Sequence, residues 1–296
     1  MVKKNSSMKI KILIPVYNDW QSLSQLLDNI DLSLNNLEHE VSIIIVNDAS
    51  NHDRKEEQKT FKNIHSIKIL NMKINQGHTR CIATGLKHIY QKEEFDYVIP
   101  MDGDGEDRPD EIKAFINQIQ NSNGKPIVGK RVKRSEGLFF KLCYEFHKLI
   151  TLTFTGKSIQ FGNFTCLPKI TVEKLINEKA TWNSFSGSLT KIEKDLYEIS
   201  SIRGDRYFGP SKMSFINLLK HSLSIISVFK KVVLIRSALF IVIYILLIKS
   251  YASILTSVPL ILLLAMIYSI SSLALRENMD EFDKSLSIIN NIDEIK

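Results

Sequence analysis

Apolar strands alternating with helical segments over the first 110 residues predict an α/β protein whose parallel sheet is covered on both faces. Three observations carry this. Short apolar runs at 10–16, 41–46, 67–70 and 97–101 have strand length, not helix length. Between them, Leu23, Leu26, Leu27 and Ile30 recur at helical spacing, and residues 81–90 show the same period. Each run also ends in a polar cluster, and open α/β sheets bind ligands at the carboxyl ends of their strands. The strand ends are therefore expected to converge on one crevice.

The first run breaks at Pro15 and passes through Tyr17-Asn18-Asp19 into a helix. Lys9 and Lys11 leave only 12–16 continuously apolar, too short for the core of a secretion signal. The second ends in Asn47-Asp48-Ala49-Ser50, where Asp48 suits either a hydrogen bond to a ribose or base or an Asx turn. The third ends near Asn75-Gln76-Gly77-His78. The fourth leads into Asp102-Gly-Asp-Gly-Glu-Asp107, four carboxylates around two glycines. Such crowding remains repulsive unless a cation or a partner surface relieves it. Asp102 and Asp104 can aim at one hard ion while Gly105 lets the backbone turn. Mg²⁺ or Mn²⁺ in such a site keeps positions for phosphate oxygens, so a diphosphate is the expected guest. The same residues also suit an exposed acidic turn before a helix starting near Pro109. No GxGxxG follows the first strand and no GxxxxGK[ST] occurs, which counts against dinucleotide-binding and P-loop sites.

Lys130, Arg131, Lys133 and Arg134 crowd the stretch 128–137, as a loop that grips phosphate or as a solvated charge run. Residues 139–154 read as a helix rich in aromatic and aliphatic side chains. Residues 215–229 alternate apolar and polar at helical spacing, as in a helix lying in a membrane interface or packed on the domain. Residues 232–248 form an apolar span interrupted by Arg236, which is expected to snorkel to the interface. Residues 252–275 carry no charge over 24 positions, long for a core helix and sufficient for a membrane span. Only Lys249-Ser-Tyr251 joins the two, so they form a hairpin with both ends on one side. The tail 276–296 is charged and expected to be helical.

The net charge of +7 is uneven. No Asp or Glu lies between Arg206 and Arg276, while Lys212, Lys220, Lys230, Lys231, Arg236 and Lys249 do. A basic collar beside apolar spans points to an anionic, cytoplasmic membrane face. It argues against nucleic acid, for which no recognition motif with interleaved aromatics is present. Cys81, Cys143 and Cys166 have no CxxC spacing and read as reduced cysteines of a cytosol-facing domain.

Ile-Pro-Val-Tyr-Asn-Asp at 14–19, Val-Asn-Asp-Ala-Ser at 46–50, Asn-Gln-Gly-His-Thr-Arg at 75–80 and the acidic turn together resemble the family 2 glycosyltransferases of GT-A fold. The nearest branch is that of the polyprenyl-phosphate sugar transferases and enzymes like dolichol-phosphate-mannose synthase. The likeness runs over roughly residues 9–235 as an ordered series, which is more specific than any single motif. It implies a nucleotide diphosphate sugar donor, a Mg²⁺ or Mn²⁺ cofactor and inversion at the anomeric carbon. Pro15, Tyr17, Asp19, Asp48 and Gly77 would line the donor together with Asp102. Asp102 and Asp104 would be the metal-holding DxD pair, and Glu106 stands where relatives often have a metal-contacting Gln. Asn47 replaces a frequent Asp. The family places a phosphate-handling loop at Arg131 and Arg134. Residues 201–213 resemble the family's Arg-x-x-Arg-x-x-Gly-x-Ser-Lys segment, bringing Arg203, Arg206, Ser211 and Lys212 to the donor diphosphate or acceptor head group.

Phe161-Gly-Asn-Phe resembles a family segment in which some relatives carry Asp at the position of Asn163. An amide accepts no proton at neutral pH, so Asn163 cannot be a general base. A lipid phosphate is already ionised and needs none, which leans towards a phosphate acceptor, although Asp107 or Glu106 could serve as base. The expected catalytic set is Asp102, Asp104, Asp107 and Arg131.

The expected organisation is a GT-A domain at 1–212, a juxtamembrane amphipathic helix at 213–231, a transmembrane hairpin at 232–275 and a cytoplasmic tail at 276–296. The expected activity is sugar transfer to polyprenyl phosphate at the cytoplasmic membrane face, with a homo-oligomer left open. One rival is transfer to a sugar hydroxyl of a polysaccharide or lipid-linked glycan. No Gln-x-x-Arg-Trp follows the acidic turn, which disfavours a processive polymerase. The other rival is a non-catalytic membrane adaptor, whose signature would be loss of the aspartate pair.

Overall fold

The computed structural model describes residues 7–52, 54, 59–133, 138–210 and 214–296, with the backbone alone for 132, 133, 138–144 and 215. Arg134, Ser211 and Lys212 lie outside the described residues. The parallel core follows the expected alternation: β1 (Lys9–Val16), α1 (Trp20–Ser33), β2 (Glu40–Asn47), β3 (Ser66–Met72), α2 (His78–Lys92) and β4 (Tyr97–Pro100). β1 pairs in parallel with both β2 and β4, and β2 with β3. The strands read as unbroken apolar runs because both faces are covered. Ile10, Ile12 and Ile14 join Leu26 and Ile30 of α1 in one core, while Leu13 joins Ile82 and Leu86 of α2 in the other.

Beyond β4 the chain adds α3 (Ile112–Asn117), β5 (Ile127–Lys133), α4 (Leu138–Thr155), β6 (Thr165–Pro168), α5 (Lys169–Ile176), α6 (Phe185–Ile192) and β7 (Tyr197–Ile202). The described sheet has the order β7-β5-β6-β4-β1-β2-β3-β8, with β8 at Ile289–Glu294. It is mixed, not wholly parallel: β6 runs antiparallel to β4 and β5, and β8 antiparallel to β3. β6 is inserted between β4 and β5 in the opposite direction, although helices flank it in sequence. The basic run from Lys130 to Lys133 is strand, not loop, and Lys130 pairs with Glu198 of β7 at 2.8 Å.

α7 (Phe215–Ser227), α8 (Lys230–Ile248) and α9 (Ile254–Ala274) follow. α8 and α9 are long and apolar enough to cross a membrane, and most of their surface faces outward, as at Ile235 and Leu262. Arg236, the charge within α8, has partners in the fold. Its Nη1 donates to the carbonyls of Thr153 (2.8 Å) and Leu152 (3.4 Å), because a helix C-terminus presents unpaired carbonyls and negative dipole charge to a cation.

The tail also departs from its expected helix. After the short α10 (Met279–Asp283) and a 3₁₀ turn it becomes β8 and closes the β3 edge of the sheet. An open strand edge is a row of unpaired N–H and C=O groups, and pairing outweighs the weak helical preference of this polar segment. Phe282 is fully buried and stacks on Trp182, ring centroids 5.4 Å apart.

Candidate active site

The acidic turn is built from the tip of β4. Met101 still donates its N–H to Leu13 of β1 (3.0 Å), so the chain is held to the sheet as it turns. Gly105 has φ +91, and a β-carbon there would stand 2.5 Å from the Tyr207 ring, so only glycine fits. Asp104 Oδ1 accepts the Glu106 N–H at 3.1 Å and closes the turn. Asp107 Oδ2 accepts the N–H of Asp102 at 2.9 Å and is only 5% exposed, beneath the turn.

Cations and donors from four other segments meet these carboxylates. His78, at the start of α2, places Nε2 3.0 Å from Asp102 Oδ1, and the Asn163 amide donates to the same oxygen at 3.1 Å. Arg206 Nη1 lies 2.8 Å from Asp104 Oδ2, and its Nη2 pairs with Asp19, the residue before α1. Arg203 pairs with Glu106. The segment carrying both arginines is fixed over the turn by Gly204 N–H to Glu106 O (2.8 Å) and Tyr207 N–H to Asp104 O (3.0 Å). The Arg131 guanidinium lies against Gly162, 2.8 Å from where a β-carbon would stand.

The charges are unequally answered. Burial pushes the Asp102 carboxyl up, but His78, Asn163 and Arg131 outweigh it and hold it well below the usual range. Burial and the Asp102 charge push Asp104 up to about 6, against the pull of Arg206 and Arg203. Burial and the same neighbour push Asp107 up to about 8. Burial alone would lower His78, yet Asp102, Asp104 and Asp107 raise it. His221 of α7 goes the other way: burial and the His78 charge lower it to about 4.

The strand-end convergence expected from the sequence is borne out by topology. Pro15 is the last residue but one of β1, with its carbonyl beside Gly103 of the turn, Tyr17 follows at 44% exposed, and Asp19 reaches Asp104 through Arg206. Asp48 is buried, and its two oxygens accept the N–H groups of Gln76 (2.6 Å) and Gly77 (2.9 Å), so it ties the second strand end to the third. Asn47 donates to Asn71 across the strands at 2.8 Å. Glu106 and Asp107 take different partners, one Arg203 and one the Asp102 N–H. His78 escaped the sequence reading as a partner of Asp102. Its only signal was a place in the polar cluster after β3.

These groups fit a divalent cation by their chemistry. Among the described residues no three acidic, His or Cys side chains converge as a ligand set. Mg²⁺, however, is commonly held by one or two carboxylates with substrate phosphates and water completing the shell. Asp102 and Asp104 supply hard oxygens in a spot where negative charge exceeds its partners, as the raised Asp104 and Asp107 record.

The model of the family described as "Glycosyl transferase family 2" matches residues 11–182. An undecaprenyl-phosphate 4-deoxy-4-formamido-L-arabinose transferase of Proteus mirabilis is 27% identical over 226 residues, 71% of this chain; the aligned part spans 64% of that relative. Among solved structures, glucosyl-3-phosphoglycerate synthase from Mycobacterium tuberculosis, in complex with Mn²⁺, uridine diphosphate and glucosyl-3-phosphoglycerate, superposes with TM-score 0.52 at 13% identity. It covers 76% of this chain and 80% of that one. Mannosyl-3-phosphoglycerate synthase from Rubrobacter xylanophilus gives 0.52 at 11%, covering 75% and 72%. At such identities the solved structures speak to the fold alone, which is GT-A.

Proposed function

Because this chain belongs to glycosyl transferase family 2, we propose that it moves a sugar from a nucleotide diphosphate sugar to polyprenyl phosphate at the cytoplasmic face of a membrane. The observation that carries the reading is the acidic strand tip, ringed by arginines, on a domain that continues into two long apolar helices. The relative from Proteus mirabilis, named for undecaprenyl phosphate, supports the acceptor class.

In this reading Pro15, Tyr17 and Asp19 line the nucleotide, with the exposed Tyr17 ring available to a base. Asp48 holds the Gln76-Gly77 turn that forms the floor of that site. Asp102 and Asp104, with Glu106 beside them, hold Mg²⁺ or Mn²⁺, which when bound neutralises the departing diphosphate. Arg203 and Arg206 exchange carboxylate partners for diphosphate oxygens, which a guanidinium fork matches well. Arg131 holds the acceptor phosphate, with Arg134 and Lys212 assigned the same work from the sequence. The acceptor oxygen forms the new bond to the anomeric carbon as the bond to the nucleotide diphosphate breaks, and this single displacement inverts the centre. No proton need be removed, consistent with Asn163 serving as a donor to Asp102.

Both ends of the α8–α9 hairpin connect to the sheet domain, so they lie on one side. Lys230, Lys231 and Arg276 at those ends fit an anionic cytoplasmic leaflet. Exposed Phe146 and Leu149 on α4, and Ile216 and Leu219 on α7, suit helices resting in the interface.

The test is to incubate membranes containing the full chain with radiolabelled nucleotide sugars and extract the lipid. Label should enter the lipid phase in an acid-labile form and require Mg²⁺ or Mn²⁺. Acid-stable label would favour the second reading, transfer to a hydroxyl, for which the basicity of Asp107 is the supporting observation. No transfer from any donor would overturn both.

A further inference from the structure

We propose that Glu281, on the helix after the hairpin, is a positioning residue for the donor turn: through Arg80 and Gln76 it fixes the 76–78 turn against Asp48 and Asp102. The inference rests on reading that turn as part of the donor site. Glu281 Oε2 lies 3.0 Å from Arg80 Nη2, and Arg80 Nη1 donates to Gln76 Oε1 at 3.2 Å. From Gln76 the contacts run straight into the crevice. Its N–H donates to Asp48 Oδ1 (2.6 Å), the next N–H to Asp48 Oδ2 (2.9 Å), and His78 Nε2 reaches Asp102 Oδ1 (3.0 Å).

Arg80 is held in this path and has few alternatives. Its side chain is 20% exposed, it lies over the Trp182 ring at 4.8 Å, and its Nε is buried with no hydrogen-bond partner among the described residues. The guanidinium orientation is therefore set by the two Nη contacts, one of them on Glu281. Glu281, whose side chain is 49% exposed, has further partners. Its Oε2 also accepts the Trp182 indole N–H at 3.0 Å, and Asn278 donates to Oε1 at 3.1 Å. The adjacent Phe282 is fully buried against Trp182.

Arg276, just past α9, precedes Glu281 by a short stretch that includes the Asn278 N-cap, so the hairpin and the donor turn are joined through few residues. A displacement of about 1 Å in a positioning contact can lower turnover about 100-fold, so such a relay matters to catalysis without touching substrate.

The experiment uses the full-length protein in detergent micelles, with Glu281→Ala, Glu281→Gln and Asp283→Ala compared to wild type. Asp283 sits on the same helix but pairs with Lys87 at 2.7 Å and makes no contact with Arg80, so it controls for loosening of the tail. Donor KM is measured with whichever labelled nucleotide sugar wild type transfers, and amide hydrogen exchange over 75–80 is followed without ligand. Glu281→Ala should raise donor KM roughly tenfold or more and speed exchange at 76–80, with acceptor KM unchanged. Glu281→Gln keeps the shape and an acceptor oxygen, and should recover most of the effect. If the alanine variant does not fold, Arg80→Met, which removes both Nη contacts, carries the test, and an unchanged donor KM there overturns the proposal. Asp283→Ala should leave donor KM at the wild-type value. An unchanged donor KM in Glu281→Ala overturns the proposal, as does an equal rise in Asp283→Ala. Inactive wild type would instead count against the transferase reading, while the exchange at 76–80 would still decide whether Glu281 holds the turn.

Discussion

Asp31 and Asp107 are both buried aspartates of the same sheet domain, and their surroundings treat them in opposite ways. Burial pushes the Asp31 carboxyl up, but backbone N–H groups of Asn63 (2.8 Å), Lys62 (3.1 Å) and Ile64 (3.0 Å) reverse this and hold it below the usual range. Asp107 receives the Asp102 N–H, faces two further aspartates and is pushed up to about 8. The first pattern recurs around the α2 and tail side of the fold, where Lys68 and Lys11 hold Glu93 down against burial, and the Trp182 indole and Arg80 hold Glu281 down. At the strand tip Asp104 and Asp107 follow the second pattern, and Glu277, past the hairpin, is likewise raised by burial. Asp31, Glu93 and Glu281 are each matched by donors within the chain, whereas the strand-tip carboxylates crowd one another.

The sharpest way to break this contrast is to damage each region and read both stability and transfer. Phe282→Ala empties a core position where tail and domain meet and should lower unfolding stability by about 3–5 kcal/mol, measured by denaturation of the purified protein. Asp104→Asn should do the reverse. Transfer of labelled sugar should fall roughly 100- to 1,000-fold, with the melting temperature unchanged or higher, because Arg206 keeps Asp19 and the turn loses repulsion. Near-normal transfer would remove Asp104 from the site.

Asp31→Asn tests the matched side through pH. The folded carboxyl lies below its unfolded value near 3.9, so its stabilisation is complete above about pH 4 and is lost as pH falls through the folded value. The variant should be about 1–2 kcal/mol less stable at pH 7, and the gap to wild type should narrow in acid denaturation. A gap that widens with falling pH would contradict the assignment. The smallest effect is expected at Glu294, 3.7 Å from Lys68 and 72% exposed. Glu294→Ala should change stability by no more than about 0.5 kcal/mol, and a larger loss would show that this edge depends on charge as well as on backbone pairing.

The parallel core and the acidic turn were legible because both are local: a run of β-branched residues followed by Asp-Gly-Asp-Gly announces itself within a dozen positions. The family series of strand-end motifs was legible for the same reason. The contacts that complete the site were not. His78 and Asn163 both reach Asp102, but only the order of strands brings residues 78, 102 and 163 together. Arg236 stood out as a charge in an apolar run, whereas its partner, the end of α4, is set by packing 80 residues away. The tail misled because Ile289–Glu294 has no alternation of apolar and polar positions, and as an edge strand it needs none.

The pairing of β8 with β3 also fixes an order of events during synthesis. Asn71 and its partner Asp293 are 222 positions apart, and both apolar helices are translated between them. A nascent chain therefore carries β3 with one side unpaired until the residues that follow both apolar helices have been made. Whatever keeps the tail from reaching β3 leaves that strand edge open, and an open edge is a template for aggregation.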